Sequence, residues 1–315
     1  MATKVVATAF GGPEVLSVLD EPVEEPGPGQ VTVEVRSVGT NPVDVKMYSG
    51  QFGSDPSQLP IHLGSEAAGI VTRVGNGVEG PAGPIHVGDP VIAYRIVGAY
   101  ASTVVVPASS VLPKPSNFSF EEASGLMVTG TTAVHALTVT HVGPGDTVVI
   151  HGAAGGVGLM AVQLAVGRGA RVIGTSSEPR HAHLRQLGAE PVEYGDGLLG
   201  RIRALAPNGV DVAFDTVGTD EAMDVSVGLV ADRDRVATIA GFTKGFELGV
   251  KVLGGAPGAD PGVEIRAAAR IELVQQVEAD RLSVLVSDIY PLAEAAAAHR
   301  ALASGHTHGK IVLVP

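Results

Sequence analysis

Short apolar runs alternate with turn residues over the N-terminal part of the chain, from Lys4 to about Pro113. β-Branched residues fill these runs and breakers such as GGPE, EPGPGQ and GNGVEGPAGP separate them, which is typical of strands joined by turns. The predicted strands are KVVATAF, VLSVLDE, QVTVEVRSV, AAGIVTRVG, DPVIAYR and YASTVVVP. No helix longer than a couple of turns is expected here. The pattern predicts an antiparallel, barrel-like domain.

The pattern changes between about Glu122 and Ala240, where apolar strands alternate with stretches of helical period. The predicted strands are TVVIHG, ARVIGTS, EPVEY, GVDVAFD and DRVATIAG, and the helical stretches between them are GLMAVQLAVG, RHAHLRQLG, LLGRIRALA and EAMDVSVGLV. This alternation predicts a parallel sheet with helices on both faces. We also predict a strand at VEIRAA (263–268), followed by a helix from Glu272 to about Ala279.

The C-terminal segment returns to strand, helix and strand, and it ends in KIVLVP. We expect this closing strand to pair within the first domain, so that the first domain is discontinuous in sequence. The 315 residues suffice for two domains with separate cores. The predicted fold class is α/β plus β, with one domain formed by 1–122 and 281–315 and a second domain, built on the parallel sheet, formed by 123–280.

Composition narrows the possible partners. The chain has 33 acidic and 21 basic residues and no basic run, which argues against nucleic acid and anionic membranes as partners. The longest apolar run, from Gly152 to Gly167, is broken by Gln163 and is too short to span a bilayer. The N-terminus, MATKVVATAF, lacks the apolar core of a signal peptide. With no cysteine, disulfides and thiolate-ligated zinc are excluded, and we expect a cytoplasmic protein.

The turn GAAGGVG (152–158) carries the clearest chemical pattern in the chain. It follows an apolar strand, precedes an apolar helix and matches G-x-G-x-x-G, with Ala153 in the first glycine position. A glycine at 155 lets the backbone approach a pyrophosphate, and one at 158 lets the helix pack close to the strand. The helix amides then face the anion. Tight packing alone is the alternative, but the strand-turn-helix context favours dinucleotide binding. The predicted contacts are with Ala154, Gly155, Gly156, Val157 and Gly158.

The residues after the second parallel strand indicate which dinucleotide binds. NAD sites place Asp or Glu there, whereas this chain has Ser176 and Ser177, with Arg180 shortly after. Two hydroxyls and a guanidinium can hold a 2′-phosphate that a carboxylate would repel. Such a bond contributes about 1.5 to 3 kcal/mol, so Arg180 alone favours NADPH over NADH by about tenfold to a hundredfold. The neighbouring Glu178 argues against this reading, and Arg180 as a plain surface cation is the alternative.

A set of motifs in chain order adds a family resemblance. They are NPVDVKMYSG (41–50), LGSEAAGIVTRVG (63–75), VGDPVIAY (87–94), HGAAGGVG (151–158), LGAEPVEY (187–194), FDTVG (214–218) and HGKIVLVP (308–315). Over nearly the whole chain the sequence resembles the zinc-independent quinone oxidoreductase branch of the medium-chain dehydrogenase/reductase superfamily, the group that contains zeta-crystallin. The resemblance implies a GroES-like β-barrel catalytic domain beside the Rossmann domain, with the substrate entering between them.

The resemblance also implies site residues. Asn41 and Ser65 stand where zinc-dependent relatives carry metal ligands, so we expect no metal and no alcohol oxidation. Asn41 and Asp44 are implied as catalytic residues beside the nicotinamide. Further cofactor contacts are implied for Thr129, Tyr194, Thr216, Gly241 and Phe242. Phe52 replaces a tyrosine that some relatives carry, which puts tyrosine-based proton donation from that position in doubt.

Several of these residues have a simpler explanation. Asn41 before Pro42 is a common start of a turn, and Asp44 could cap a helix. Glu66 could be only a structural hydrogen-bond partner. The remaining polar candidates are left open: Lys46 as cofactor contact or solvated side chain, His62 and His151 as structural histidines, His306 and His308 as an insufficient metal pair, and Tyr48, Tyr94 and Tyr100 as possible proton donors beside water.

The sequence therefore predicts an NADPH-dependent, zinc-free oxidoreductase that passes a hydride to a quinone. Three alternatives stay open: a 2-alkenal or other enone reductase of the same family, an enoyl reductase, and an NADPH-binding structural or regulatory protein with little turnover. The enoyl reductase is disfavoured because no basic patch is present for a carrier protein or a CoA group. A homodimer is also predicted, with VEIRAA as an exposed edge strand at the seam.

Overall fold

The computed structural model describes residues 1–305 and 307–315. The chain forms two compact units, one of Met1–Val128 with Arg270–Pro315 and one of Thr129–Ala269. The predicted division, at 122/123 and 280/281, lies six residues from the first of these junctions and eleven from the second. Which unit performs catalysis and which binds the cofactor stays a prediction at this point.

The elements follow the chain in this order. The strands are β1 (Ala2–Ala7), β2 (Leu16–Glu21), β3 (Gln30–Gly39), β4 (Ile61–His62), β5 (Glu66–Val74), β6 (Glu79–Gly80), β7 (Gly83–Pro84), β8 (Pro90–Tyr94), β9 (Thr103–Pro107), β10 (Val111–Pro113), β11 (Thr147–His151), β12 (Arg171–Thr175), β13 (Ala189–Val192), β14 (Val212–Asp215), β15 (Val236–Thr238), β16 (Lys251–Val252), β17 (Val286–Pro291) and β18 (Lys310–Val314). The helices are α1 (Pro42–Tyr48), α2 (Phe120–Ser124), α3 (Met127–Val139), α4 (Gly156–Gly167), α5 (His181–Gln186), α6 (Leu198–Leu205), α7 (Asp220–Leu229), α8 (Phe242–Leu248), α9 (Val263–Glu278) and α10 (Ala295–Ala303). Single 3-10 turns lie at Pro13–Val15, Pro56–Gln58, Ala108–Ser110, Glu178–Arg180, Arg233–Arg235 and Leu292–Glu294.

The first unit is built around β3. This strand pairs antiparallel with β5, β9 and β18, and its valines are buried in the core of the unit. The main sheet runs in the order β10-β8-β5-β3-β18-β17, and β2-β1-β4 form a separate three-stranded sheet. The predicted return of the C-terminal strand to this unit is confirmed, because Val312 of β18 lies opposite Gly39 of β3.

The second unit contains the predicted parallel sheet. Its six strands have the order β13-β12-β11-β14-β15-β16, and every neighbouring pair is parallel. The chain winds outward in one direction from β11 and in the other from β14, so the topological switch point lies between these two strands. Ligands of doubly wound sheets bind outside the carboxyl ends of the strands at such a point. For this unit that places the candidate site after His151 and Asp215.

The predicted strand VEIRAA is wrong, because residues 263–268 form the first six of the 16 residues of α9. No glycine or proline interrupts 263–278, and Ala267 to Ala269 are strong helix formers. Leu273, Val274 and Val277 are buried at helical spacing, so one continuous helix satisfies the whole segment. The parallel sheet ends instead at the two-residue strand β16. The dimer seam predicted on VEIRAA therefore has no strand to form it.

None of the helices in 1–305 and 307–315 has the length and apolar character needed to cross a bilayer.

Candidate functional site

The turn between β11 and α4 is tied to the end of the neighbouring strand. Gly152 adopts a positive φ of 71°, which favours glycine, and its amide donates to Thr175 Oγ1 at 3.1 Å. The Ala153 amide donates to the Thr175 carbonyl at 3.0 Å. α4 then begins at Gly156 with Gly155 as its N-cap. The first amides of this helix thus point past the carboxyl end of the sheet, where an anion would be stabilised.

The two glycines of this turn have different surroundings. A Cβ added at Gly158 would lie 2.2 Å from the Gly152 carbonyl oxygen, so the helix packs directly on the turn, as the spacing predicts. A Cβ at Gly155 would meet nothing nearer than the same oxygen at 3.5 Å. The space above Gly155 is therefore not needed for packing within this unit. It fits a pyrophosphate that approaches the backbone.

A buried carboxylate organises the loops after β14 and β15. Asp215 Oδ1 accepts from the amides of Val217 and Gly218 at 3.0 Å each. Its Oδ2 accepts from Thr238 Oγ1 at 2.6 Å, and that hydroxyl oxygen accepts from the Gly241 amide at 2.9 Å. One side chain therefore holds both loops at the same edge of the sheet.

Thr216, in the first of these loops, also contacts the end of β11. Its Oγ1 donates to the His151 carbonyl at 2.7 Å. His151 itself is buried, and burial lowers the pKa of its imidazole to about 4, so the ring is neutral at pH 7. The structural reading of this histidine fits a neutral, enclosed ring.

The residues predicted to select the cofactor follow β12. Ser176 is buried, its amide donates to the Val192 carbonyl and its hydroxyl donates to the Ser177 carbonyl at 3.2 Å. Ser177 and Arg180, by contrast, are partly exposed at the two ends of the 3-10 turn. His181 follows at once, with Nε2 3.4 Å from the Ser176 carbonyl, and sequence reasoning did not single it out. Hydroxyl, guanidinium and imidazole groups thus share this turn.

The remaining cofactor candidates take varied positions. Tyr194 lies after β13 and is 53% exposed, whereas Thr129 is buried in α3. Gly241 and Phe242 form the N-cap and first residue of α8. The candidates that follow β11 to β15 occupy the carboxyl edge of one sheet because neighbouring parallel strands end on the same side. Thr129 is the exception, because it stands on the helix before the sheet begins.

Asn41 and Asp44 occupy the start of α1. Asn41 is the N-cap, and its amide donates to Asp44 Oδ2 at 2.8 Å. Asn41 and Asp44 therefore do cap α1, as the simpler explanation predicted. Both side chains are buried, at 3% and 1% exposure, and both have further partners. A helix cap does not require buried side chains. The further partners of Asn41 and Asp44 therefore decide whether these residues have a role beyond capping α1.

Asn41 belongs to a buried ion-pair cluster that the sequence did not predict. Lys310 Nζ donates to the Thr40 carbonyl at 2.7 Å, to Asn41 Oδ1 at 2.8 Å and to Glu66 Oε1 at 3.1 Å. Glu66 Oε1 also accepts from Asn41 Nδ2 at 3.1 Å, and Glu66 Oε2 accepts from the Val128 amide at 2.8 Å. Glu66 is thus a structural hydrogen-bond partner, as its simpler reading predicted.

This cluster also tests whether zinc fits the position that the resemblance indicated. The oxygens of Thr40, Asn41 and Glu66 already hold the Lys310 ammonium, and the chain has no thiolate to offer. A divalent ion at the same oxygens would be repelled by that ammonium. The residues present therefore do not fit a zinc site.

Asp44 belongs to a second buried network. Its Oδ2 accepts from the Tyr100 hydroxyl at 3.1 Å, and that hydroxyl lies 2.7 Å from His299 Nε2. His299 Nδ1 lies 2.7 Å from the Tyr48 hydroxyl. Burial raises the pKa of Asp44 to about 7, so both forms of this carboxyl are populated at neutral pH. Two of the three tyrosines considered as proton donors, Tyr48 and Tyr100, are therefore linked to Asp44.

The other candidates have varied surroundings. Lys46 is half-buried, and burial lowers the pKa of its ammonium. Phe52 is 48% exposed. Of the HTH pair, His308 is described and His306 lies outside the described residues. Within 1–305 and 307–315 no three His, Asp or Glu side chains come together in a way that could hold a metal ion.

Sequence reasoning missed three residues that organise the site: Lys310, His299 and Asp215. Lys310 and Asp215 lie inside motifs that were recognised as markers, HGKIVLVP and FDTVG, but nothing local assigned them partners. His299 stands in an alanine-rich helix without a motif of its own. Its partners Tyr48 and Tyr100 are 251 and 199 residues away, so no spacing rule could connect them.

Family comparisons agree with this geometry. Residues 27–116 match the model described as alcohol dehydrogenase GroES-like domain, and residues 156–255 match the model described as zinc-binding dehydrogenase. The second description names zinc, which the donor set around Lys310 does not fit.

Full-length relatives and solved structures narrow the family. The chain is 35% identical to a quinone oxidoreductase of Pseudomonas aeruginosa, with 100% of both chains covered, and 32% identical to a 2-haloacrylate reductase of a Burkholderia species, with 100% and 99% covered. The crystal structure of Escherichia coli quinone oxidoreductase complexed with NADPH superposes with a TM-score of 0.85 at 30% identity, over 99% of this chain and 100% of that one. The predicted Rossmann and GroES-like fold class is confirmed. By sequence and by fold, the chain belongs to the quinone oxidoreductase branch of the medium-chain dehydrogenase/reductase superfamily.

Proposed function

We propose that this protein is an NADPH-dependent oxidoreductase that reduces quinones without a metal ion. The observation that carries the proposal is the turn 152–158, which lies at the switch point of the sheet and has open space above Gly155. The 3-10 turn that contains Arg180 follows the neighbouring strand, β12. Two relatives that match over nearly the full length support the same reading, because they are named quinone oxidoreductases and one of them was solved with NADPH.

Within this proposal the second unit holds the cofactor. NADPH supplies the hydride when bound, and the protein binds and orients it. The α4 amides would face the pyrophosphate, while Ser177 and Arg180 would hold the 2′-phosphate. The full set of proposed cofactor contacts is Thr129, Ala154, Gly155, Gly156, Val157, Gly158, Ser176, Ser177, Arg180, Tyr194, Thr216, Gly241 and Phe242. The proposed catalytic residues are Asn41 and Asp44.

We propose that Asp44 holds the proton that the reduction consumes. Reduction of a quinone to a hydroquinone takes up one hydride and one proton, and an acid with a pKa near the operating pH serves best. Burial raises the pKa of Asp44 to about 7, with the Asn41 amide, the Lys310 ammonium and the Tyr100 hydroxyl opposing that rise. Asn41 positions this acid, because its own side chain is held by Lys310 and Glu66.

Cofactor selection provides the test of this function. Wild-type protein is expected to oxidise NADPH with benzoquinone or naphthoquinone. Replacement of Arg180 by alanine should raise the KM for NADPH by about tenfold to a hundredfold and leave the KM for NADH unchanged. Arg185→Ala, an exposed arginine one turn later on α5, is the matched control. Equal effects on both cofactors, or wild-type turnover that prefers NADH, would contradict the proposal.

The second candidate is an enone or 2-alkenal reductase, and one observation favours it. The Burkholderia relative is named 2-haloacrylate reductase, and a 2-haloacrylate is a conjugated acid. Including 2-alkenals, cyclohexenone and 2-chloroacrylate in the same assay separates the two, because turnover on these alone would replace the quinone assignment. Tight NADPH binding without turnover on any acceptor would instead favour a structural or regulatory role.

We also propose that the protein is a homodimer, now on the family resemblance alone, because residues 263–268 form a helix rather than an edge strand. Sedimentation at micromolar concentration is expected to give a dimer, and a monomer would contradict the proposal. The cytoplasmic location stays a prediction from composition.

A further inference from the structure

We infer that Tyr48, His299 and Tyr100 form a proton-transfer chain that ends at Asp44 and returns a proton to it after each reduction. The inference rests on the proposed function, in which Asp44 supplies the proton for the hydroquinone. It assigns roles to three residues that neither the family motifs nor the sequence pattern connects.

The four groups form one unbroken and fully enclosed path. The successive separations are 2.7 Å from Tyr48 hydroxyl to His299 Nδ1, 2.7 Å from His299 Nε2 to Tyr100 hydroxyl, and 3.1 Å from Tyr100 hydroxyl to Asp44 Oδ2. The two tyrosines and the histidine have no solvent exposure, and Asp44 has 1%. The Tyr48 ring stacks on the imidazole at 8°, and the Tyr100 ring meets it edge-on at 74°, so the His299 ring is held from both sides.

The path has one consistent proton arrangement when Asp44 is ionised. A carboxylate only accepts, so Tyr100 donates its single proton to Asp44. Tyr100 oxygen must then accept from His299 Nε2–H. A neutral imidazole has one N–H, so Nδ1 is the acceptor and takes the Tyr48 proton. Every donor in the path therefore points toward Asp44.

A second arrangement follows when Asp44 is protonated. Asp44 Oδ2–H donates to Tyr100, Tyr100 donates to His299 Nε2, and Nδ1–H donates to Tyr48. To pass from the first arrangement to the second, Tyr48 gives its proton to Nδ1 and takes one from outside, Nε2 gives its proton to Tyr100, and Tyr100 gives its proton to Asp44. One proton enters at Tyr48, one arrives at Asp44, and the imidazole is neutral before and after.

The charged groups around Asp44 and Tyr48 are compatible with proton transfer from Tyr48 to Asp44. Asp44 is faced by the Lys310 ammonium, which lowers its pKa, and by Glu66, which raises it. Tyr48 is faced by Glu14, Arg300 and Asp44. Burial lowers the pKa of His299 to about 4 and raises that of Tyr48 to about 12, so neither gains or loses net charge near pH 7. Glu14, whose charge acts on Tyr48, is exposed, and the inferred path takes the entering proton from solvent on that side.

The decisive variants retain most of the packing around the path and remove the proton transfer. Glutamine at 299 can donate at one end and accept at the other, but its amide does not exchange a proton between them. Phenylalanine at 48 retains the stacked ring and removes the terminal hydroxyl. His299→Gln and Tyr48→Phe are each expected to lower kcat for quinone by about tenfold to a hundredfold above pH 7, with the KM for NADPH unchanged. The matched controls are His86→Gln, at an exposed histidine, and Tyr290→Phe, at a tyrosine of β17.

A measurement on the ligand-free protein tests the chain without turnover. Nitrogen NMR of histidine-labelled protein should show His299 as the Nε2–H tautomer at about pH 8.5 and as the Nδ1–H tautomer at about pH 5.5, with the ring neutral throughout. This change of tautomer with pH should be absent in Asp44→Asn, because the asparagine side chain does not ionise. A single tautomer across this range overturns the inference.

The outcomes separate this inference from the proposed function. If Asp44→Asn loses quinone reduction while His299→Gln and Tyr48→Phe retain the wild-type kcat and pH profile, the chain is wrong and the function stands. If Asp44→Asn retains wild-type kcat, the acid role of Asp44 fails and the chain fails with it. If the wild type reduces no quinone, the proposed function fails, and the tautomer titration still decides whether the path carries protons.

Discussion

Alanine in place of Gly155 is expected to weaken NADPH binding by about a hundredfold, or roughly 2.7 kcal/mol, in a protein that still folds. The backbone at Gly155, with φ −79° and ψ 171°, is accessible to alanine, and the added methyl would contact only the Gly152 carbonyl oxygen, at 3.5 Å. Loss of the glycine N-cap of α4 costs less than about 1 kcal/mol of folding free energy. The methyl does, however, occupy the space in which a pyrophosphate would approach the helix amides.

Two other glycines of the same helix separate binding from folding. Gly167→Ala, at the last residue of α4, adds a methyl that meets nothing within 4 Å, and it should leave NADPH binding unchanged. Gly158→Ala places its methyl 2.2 Å from a backbone oxygen and should lower the melting temperature sharply. Fluorescence titration with NADPH, together with thermal unfolding, measures both quantities. Wild-type affinity in Gly155→Ala would remove the turn from the proposed cofactor site.

Replacement of Lys310 by methionine is expected to lower the free energy of unfolding by about 3 to 5 kcal/mol. Lys310 is 5% exposed and Glu66 is fully buried, so the variant would leave a carboxylate in the interior without its ammonium. Asn41 and Thr40 would lose a donor at the same time. Breaking such a pair costs more than the pair contributes, because the cost is that of the stranded charge.

The double variant Lys310→Met/Glu66→Gln tests this reason directly, since it removes both charges and should recover much of the loss. Lys251→Met is the matched control, because Lys251 pairs with an Asp234 that is 82% exposed, and its loss should cost less than about 1 kcal/mol. Urea unfolding at constant pH measures all three variants. If Lys310→Met unfolds like the control, or if the double variant is no more stable than the single one, the charge argument is wrong.

The strands and the switch from β to α/β were predictable because their signals are local. Alternating apolar residues and glycine turns predicted the strands. The four helices predicted between the parallel strands, among them α4 and α7, are present in the structure. The segment 263–268 was predicted wrongly because its few β-branched residues outweighed the alanine run that follows them. α3 carried no clear period, because many of its residues on all sides are buried. Helices enclosed in this way lack the polar face that reveals a surface helix.

By itself the sequence determined the family, the two kinds of domain and the glycine-rich turn, because each depends on contiguous motifs, and its composition excluded thiolate ligands. Only the tertiary structure decided what Asn41 and Asp44 contact. Lys310 reaches Asn41 across 269 positions and His299 reaches Tyr48 across 251. Burial, hydrogen bonding and raised pKa values arise from packing between distant segments, and no local pattern encodes which buried polar group will meet which partner.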